Sequence, residues 1–253
     1  MLKLCMILSS GDFFLLYDKK KDTCLVTDCG GRSNKKYIFK NKTFLDILDI
    51  VDNKIIKNFD NKYALLSHLH SDHYNGFEQL SKKHLDYFDC FFLPYIAPGK
   101  KGCHILIDCA ILCFLIYPKH FTSTVLSRNI LKVIPMATSL SRSIKTVGRK
   151  DVIKVFNDSI NVLWPPKDGA MWSNSFTEKC STLISQLISS LNQSSTNNSL
   201  SIIRKSLQEY FDIIFSQENS KEQLLKISSE IDNIYEKLDW VRETSQETIN
   251  NFV

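Results

Sequence analysis

Ser67-His68-Leu69-His70-Ser71-Asp72-His73-Tyr74-Asn75-Gly76 is the stretch that decides how this chain of 253 residues folds. It follows Tyr63 to Leu66, a short apolar run of strand type, so the histidines stand where a strand stops. His68 and His70 alternate with Leu69 and point the same way from an extended backbone, towards one position in space. Asp72 and His73 come where the chain bends away and address a second position. A divalent cation needs several nitrogen and oxygen donors converging at about 2 Å. Four such donors crowded into one short loop are hard to justify as packing or as a solvated turn. The pattern predicts a metal site with His68, His70, Asp72 and His73 as ligands.

Working outward, Asp12 to Tyr17 and Thr23 to Thr27 are apolar runs separated by the turn segment Asp18 to Asp22, a hairpin pattern. Thr43 to Val51 reads as a short helix, Gly76 to Leu85 as another, and Cys90 to Tyr95 as a strand, with Pro94 and Pro98 marking a turn. Ile105 to Ile116 is an apolar run that contains Asp108, and reads as a buried strand or a core helix. Val152 to Phe156 and Ser159 to Trp164 read as strands, the second ended by Pro165-Pro166. Strands alternating with helices predict an α/β domain. After Trp172 glycine and proline disappear and apolar residues fall at helical spacing: Leu183, Leu187, Ile188 and Leu191, then Ile203, Leu207, Tyr210, Phe211 and Ile214. A Ser/Asn-rich break from Asn192 to Ser199 separates these two helices. Leu224, Ile227, Ile231, Ile234, Leu238 and Val241 follow at the spacing of a coiled-coil seam. The pattern is short, which favours an antiparallel hairpin within the chain over pairing with a second chain. The division expected is 1–172 for the α/β domain and 173–253 for a helical insertion or appendage.

Composition bounds the function classes. With 43% apolar and 23% charged residues the chain has the balance of a globular protein rather than a solvated polymer. No apolar run approaches the roughly 20 residues a spanning helix needs, and Leu2 to Leu8 lacks the flanks of a secretory signal, so a cytoplasmic location without membrane contact is expected. The cysteines, Cys5, Cys24, Cys29, Cys90, Cys103, Cys109, Cys113 and Cys180, form no Cys-x-x-Cys pair and read as reduced, mostly buried thiols. The net charge of +5 is unevenly shared: residues 173–253 hold seven Lys/Arg against eleven Asp/Glu, so the front part carries all of the positive excess. A basic front half favours a polyanionic substrate, although solvated lysines such as Lys19 to Lys21 also serve solubility.

Ser67 to Gly76 resembles the His-x-His-x-Asp-His signature of the metallo-β-lactamase superfamily of metallohydrolases. Upstream, Cys24-Leu25-Val26-Thr27-Asp28-Cys29-Gly30-Gly31 is similar to that family's earlier strand ending in Asp-x-Gly. Ile160-Asn161-Val162-Leu163-Trp164-Pro165-Pro166 resembles the segment preceding the later ligands in the branch that contains the metallo-β-lactamase domain of the DNA-uptake protein ComEC. The resemblance implies an αββα sandwich and hydrolysis by zinc-activated water, with one or two zinc ions. For His68 and His70 it implies the first ion and for Asp72 and His73 the second, with Asp72 also orienting the attacking water. For Asp28 it implies a carboxylate that organises the ligand loop without touching metal.

The chain departs from the family after residue 172. Its Gly-Asp is Gly11-Asp12, on the wrong side of the motif for the bridging carboxylate, and no histidine follows His120. The resemblance thus covers roughly residues 8–172, and the expectation is a sandwich lacking its second half, with a C-terminal helical region, in a fragment or truncated product. His104 or His120 could substitute as a ligand but each reads better as an ordinary histidine, and His84, in a lysine-rich helix, reads as a surface residue. The function expected is a zinc-dependent hydrolase acting on a phosphodiester, with nucleic acid as the favoured substrate. The competing expectation is a non-catalytic metal-binding module whose acidic helices bind a partner protein or a second copy of the chain.

Overall fold

Six short strands assemble into one mixed sheet. The computed structural model describes residues 1–7, 11–31, 42–95, 107–109, 111–112, 114–116, 126–156, 158–165, 167, 173–193, 199–215 and 221–252. Strands β1 (Lys3–Met6), β2 (Phe13–Asp18), β3 (Thr23–Cys29), β4 (Asn61–Leu65), β5 (Cys90–Pro94) and β6 (Ile144–Val147) lie side by side in chain order. β1, β2 and β3 are antiparallel neighbours, whereas β3, β4, β5 and β6 run parallel. A separate two-stranded ladder joins β7 (Val152–Val155) to β8 (Asp158–Asn161). The expected hairpin is thus β2–β3, while β1 and β6 are strands that the sequence pattern does not announce.

The chain divides into two compact units, one made of Met1–Pro94 with Val133–Pro165 and the other of Tyr95–Lys132 with Pro166–Val253. The expected break at residue 172 lies close to the last crossover, and the segment 95–132 groups with the helical part.

In the first unit the period-2 alternation of the strands gives the sheet two faces. One face carries Leu25, Cys90 and Phe92, which pack with Ile153, Val155 and Phe156 of the β7–β8 hairpin. The other face carries Phe13 and Phe91, which meet helices. Helix α1 (Phe44–Lys54) buries Phe44, Leu48 and Val51, spaced three and four apart, and Phe44 stands edge-on to Phe13 at 6.4 Å. A capping box starts it: the Thr43 hydroxyl accepts from the Asp46 N–H at 3.2 Å, and the Asp46 carboxylate accepts from the Thr43 N–H at 2.7 Å. Helix α2 (Ser71–Ser81) packs Phe77 against Phe91 at 4.9 Å. It begins at Ser71, five residues ahead of the expected Gly76, so Asp72 and His73 stand on its first turn rather than on an irregular bend. Gly76 lets α2 cross close to the end of β3, because a Cβ there would lie 2.5 Å from the Cys29 carbonyl oxygen. Helix α3 (Leu126–Leu140) leads into β6.

The second unit is helical. The described residues among 107–116 are helical, which resolves the alternative between strand and helix. Helices α4 (Asn174–Gln193), α5 (Ser199–Phe215), α6 (Lys221–Thr244) and α7 (Gln246–Phe252) follow. Ile184, Leu187 and Leu191 of α4 are buried while Leu183 is 44% exposed, so the buried stripe runs one residue later than Leu183 suggests. Leu200, Ile203, Leu207 and Phe211 of α5 and Ile227, Ile234, Leu238 and Val241 of α6 are buried. α5 and α6 pack on each other, and the Tyr210 hydroxyl donates to Glu230. Asp108, 1% exposed, receives a two-pronged ion pair from Arg204 at 2.6 and 2.7 Å. Among the described residues no helix is long and apolar enough to cross a membrane.

Candidate metal centre

Parallel strands bring their carboxyl ends to one edge of a sheet, and ligands in open α/β sheets bind outside that edge. β3 brings Asp28, its last residue but one, to that edge, β4 runs there into the histidine loop, and β2, running the other way, is preceded there by Asp12, next to Phe13, which pairs with Cys29. The loop then turns into α2, with His70 as N-cap. Gly30 makes this junction possible. A Cβ on it would lie 1.6 Å from the Asp72 carbonyl oxygen, which accepts the Asp12 N–H at 3.2 Å. The Gly31 N–H donates to Asn75 Oδ1 at 3.0 Å, which ties the β3 end to the second turn of α2.

Three imidazoles meet on this edge. His68 Nε2 and His70 Nδ1 are 3.2 Å apart, and the ring centroids of His68 and His73 are 3.7 Å apart. The other nitrogen of His68 faces the Ser67 hydroxyl at 3.0 Å. Burial, with His73 and His70 adding to it, holds the His68 imidazole below its ordinary pKa, so its neutral, lone-pair-bearing form is favoured. Beneath the loop Asp28 takes a left-handed backbone, φ 50°, which an aspartate tolerates better than most residues. Its carboxylate accepts from the Ser67 N–H at 2.8 Å and from the Ser67 hydroxyl at 2.7 Å, clamping the residue before His68.

His73 is nearly buried, with its side chain 10% exposed. Its Nδ1 lies 3.2 Å from Asp28 Oδ2 and 3.7 Å from Asp12 Oδ2, and its Nε2 lies 4.0 Å from Asp72 Oδ1. Despite the short approach to Asp28, Nδ1 is buried without an aligned hydrogen bond. Asp12, Asp28 and His73 offer donor atoms within 4.8 Å of one another. Asp12 and Asp72 both stay about half exposed, at 52% and 53%.

The structure thus brings His68, His70, Asp72, His73 and Asp28 to one edge, but among the described residues the donors that converge within 4.8 Å are those of Asp12, Asp28 and His73: of the four expected ligands only His73 is in that group, and Asp28, expected to stay off the metal, is one of its donors. It adds Asp12, which motif spacing misses because the Gly11-Asp12 pair precedes the histidines by more than fifty residues. The hairpin pattern contained the signal, since a strand running back from the Asp28 end must begin beside it. His104 and His120 lie outside the described residues. His84 is corrected: its side chain is 16% exposed and its Nε2 bonds the buried Asp52 carboxylate at 2.8 Å, with the ring stacked on Tyr87.

Zinc takes nitrogen ligands at about 2.0–2.1 Å in tetrahedral geometry, which sets two of its donor atoms about 3.3 Å apart. The 3.2 Å between His68 Nε2 and His70 Nδ1 fits that spacing. His73 meets the pattern of a ligating histidine in part: its Nδ1 lies 3.2 Å from the Asp28 carboxylate but without an aligned hydrogen bond. No family model, no curated protein and no solved structure matches this chain.

Proposed function

We propose that this chain is a zinc-dependent hydrolase of the metallo-β-lactamase type whose substrate is a phosphodiester, with nucleic acid as the favoured class. The observation that carries the reading is the convergence of His68 Nε2 and His70 Nδ1 to 3.2 Å beside His73, at the carboxyl edge of the parallel strands. His68 and His70 hold one ion, and Asp72 with His73 Nε2 addresses a second. Sheet order supports the fold assignment: helices α1 and α2 cover one face, and the β7–β8 hairpin on the other occupies the place where the second sheet of an αββα sandwich would begin.

When bound, zinc supplies Lewis acidity and a water acidic enough to attack at neutral pH. The chain's own residues do the positioning. Asp28 clamps Ser67 and so aims His68, and its proximity to His73 Nδ1 favours the tautomer that leaves Nε2 free. Half-exposed Asp72, on the first turn of α2, accepts a hydrogen bond from the attacking water. Asp12 reaches the same edge and supplies a further carboxylate there. The basic front part favours an anionic substrate, and lysines Lys20, Lys21 and Lys154 line a cleft of about 730 Å³ at the opposite end of the strands.

The test is hydrolysis of bis(p-nitrophenyl) phosphate and of single-stranded DNA by the zinc-loaded chain. Turnover is expected, with a loss of at least about 100-fold in His68→Ala and Asp72→Ala. Stoichiometric zinc without hydrolysis of any phosphodiester would overturn the enzymatic reading and leave a metal-binding module.

A further inference from the structure

Two cysteines of the helical unit stand closer than their scattered sequence positions suggest. Cys109, in the helical run among 107–116, and Cys180, in the first half of α4, are 71 residues apart in the chain, yet their sulfurs are 3.3 Å apart. Cys180 is buried at 8% exposure, and Cys109 is half-buried and so open to a small solute. Neither belongs to the histidine edge, which lies in the other unit. Next to Cys109, Asp108 is held by Arg204 of α5, so the backbone presenting the Cys109 sulfur is anchored by a buried ion pair. The pair joins the two separate stretches that make up the helical unit, 95–132 and 166–253.

We propose that Cys109 and Cys180 are a reversible thiol oxidation site, forming an intramolecular disulfide on exposure to a hydroperoxide. The more accessible Cys109, as thiolate, attacks one oxygen of hydrogen peroxide; the O–O bond breaks, hydroxide leaves and takes up a proton as water, and Cys109 becomes a sulfenic acid. Cys180 then attacks the Cys109 sulfur, the S–O bond breaks, and a second water departs with the remaining thiol proton. In sum two thiols and one peroxide give one disulfide and two waters, the two electrons passing from sulfur to oxygen. A dithiol reductant reverses the step. The sulfurs need move only from 3.3 Å to the roughly 2.05 Å of the bond. The bond closes a long loop and narrows the unfolded ensemble, so the oxidised chain melts at a higher temperature.

The experiment treats the full chain with hydrogen peroxide, alkylates the remaining thiols under denaturing conditions and maps peptides by mass spectrometry with and without reductant. A Cys109–Cys180 linked peptide that vanishes on reduction is expected, together with a rise of roughly 5 °C or more in Tm over the reduced chain. Cys109→Ser and Cys180→Ser should each lose the linked peptide and the rise. Oxidation of Cys109 to sulfinic acid without linkage, or linkage of either residue to another cysteine, would overturn the proposal. Because the mapping is done on the unsubstituted chain, a variant that fails to fold does not affect it.

Discussion

Helix α2 has three histidines at its start and a single one, His84, beyond its end, and the two sites are built on opposite principles. Past its C-terminus, His84 bonds Asp52 at 2.8 Å and stacks on Tyr87 at 4.1 Å, and the Tyr87 hydroxyl donates to the other oxygen of Asp52. Lys57 approaches the same carboxylate at 3.9 Å. Burial, then the Asp52 carboxylate, pushes the Tyr87 hydroxyl well above its ordinary pKa, which keeps it a hydrogen-bond donor. Donors there meet acceptors. At its N-terminus, His68, His70 and His73 crowd three imidazoles together, with His68 Nε2 and His70 Nδ1 in hydrogen-bond contact at 3.2 Å, and His73 Nδ1 is buried without an aligned partner. Burying an unsatisfied polar group costs stability, so the Asp52–His84 site is accounted for by its own hydrogen bonds, whereas the other site carries a buried nitrogen, His73 Nδ1, without one.

Substitutions can break this contrast from either side. The largest effect is expected for Asp52→Ala, which strips the partner from His84 and Tyr87 in a site only 2% exposed: about 3 kcal/mol of unfolding free energy should be lost, measured by urea denaturation, with zinc stoichiometry unchanged. Asp28→Asn should act the other way round. Ser67 keeps an acceptor but the pull on His73 Nδ1 weakens, so zinc affinity measured by competition with a chromophoric chelator should fall about 10–100-fold. Equal zinc affinity in that variant would remove Asp28 from the site. Smallest is Thr43→Ala at the start of α1, where loss of the cap should cost about 1 kcal/mol in the same denaturation assay and leave zinc binding untouched. Asp46 in that capping box is held below its ordinary pKa of 3.8 by the Thr43 N–H, so its contribution is present at neutral pH and lost as pH falls through the lowered value.

The same contrast explains what could be seen in the sequence. His68, His70, Asp72 and His73 were visible because their spacing is local, and the β2–β3 hairpin and β4 because period-2 apolar runs end at turns. Asp12 and the Asp52–His84 pair were hidden because their partners are brought up by strand register or helix packing, the latter across 32 residues. The start of α2 was placed late because Ser71, Asp72 and Asn75 carry no apolar period, while Gly76 looked like a boundary and is a close-approach residue. β6 is only four residues long, and Ile105 to Ile116, apolar but for Asp108, has no period to tell strand from helix.

Zinc-edge X-ray absorption on the stoichiometrically loaded chain probes the histidine edge most directly. It should show a first shell of nitrogen and oxygen at about 2.0–2.1 Å with the outer-shell scattering of at least two imidazoles, lost in a His68→Ala, His70→Ala double variant. A shell dominated by sulfur at about 2.3 Å, or the same spectrum from the double variant, would contradict the assignment of these histidines as metal ligands.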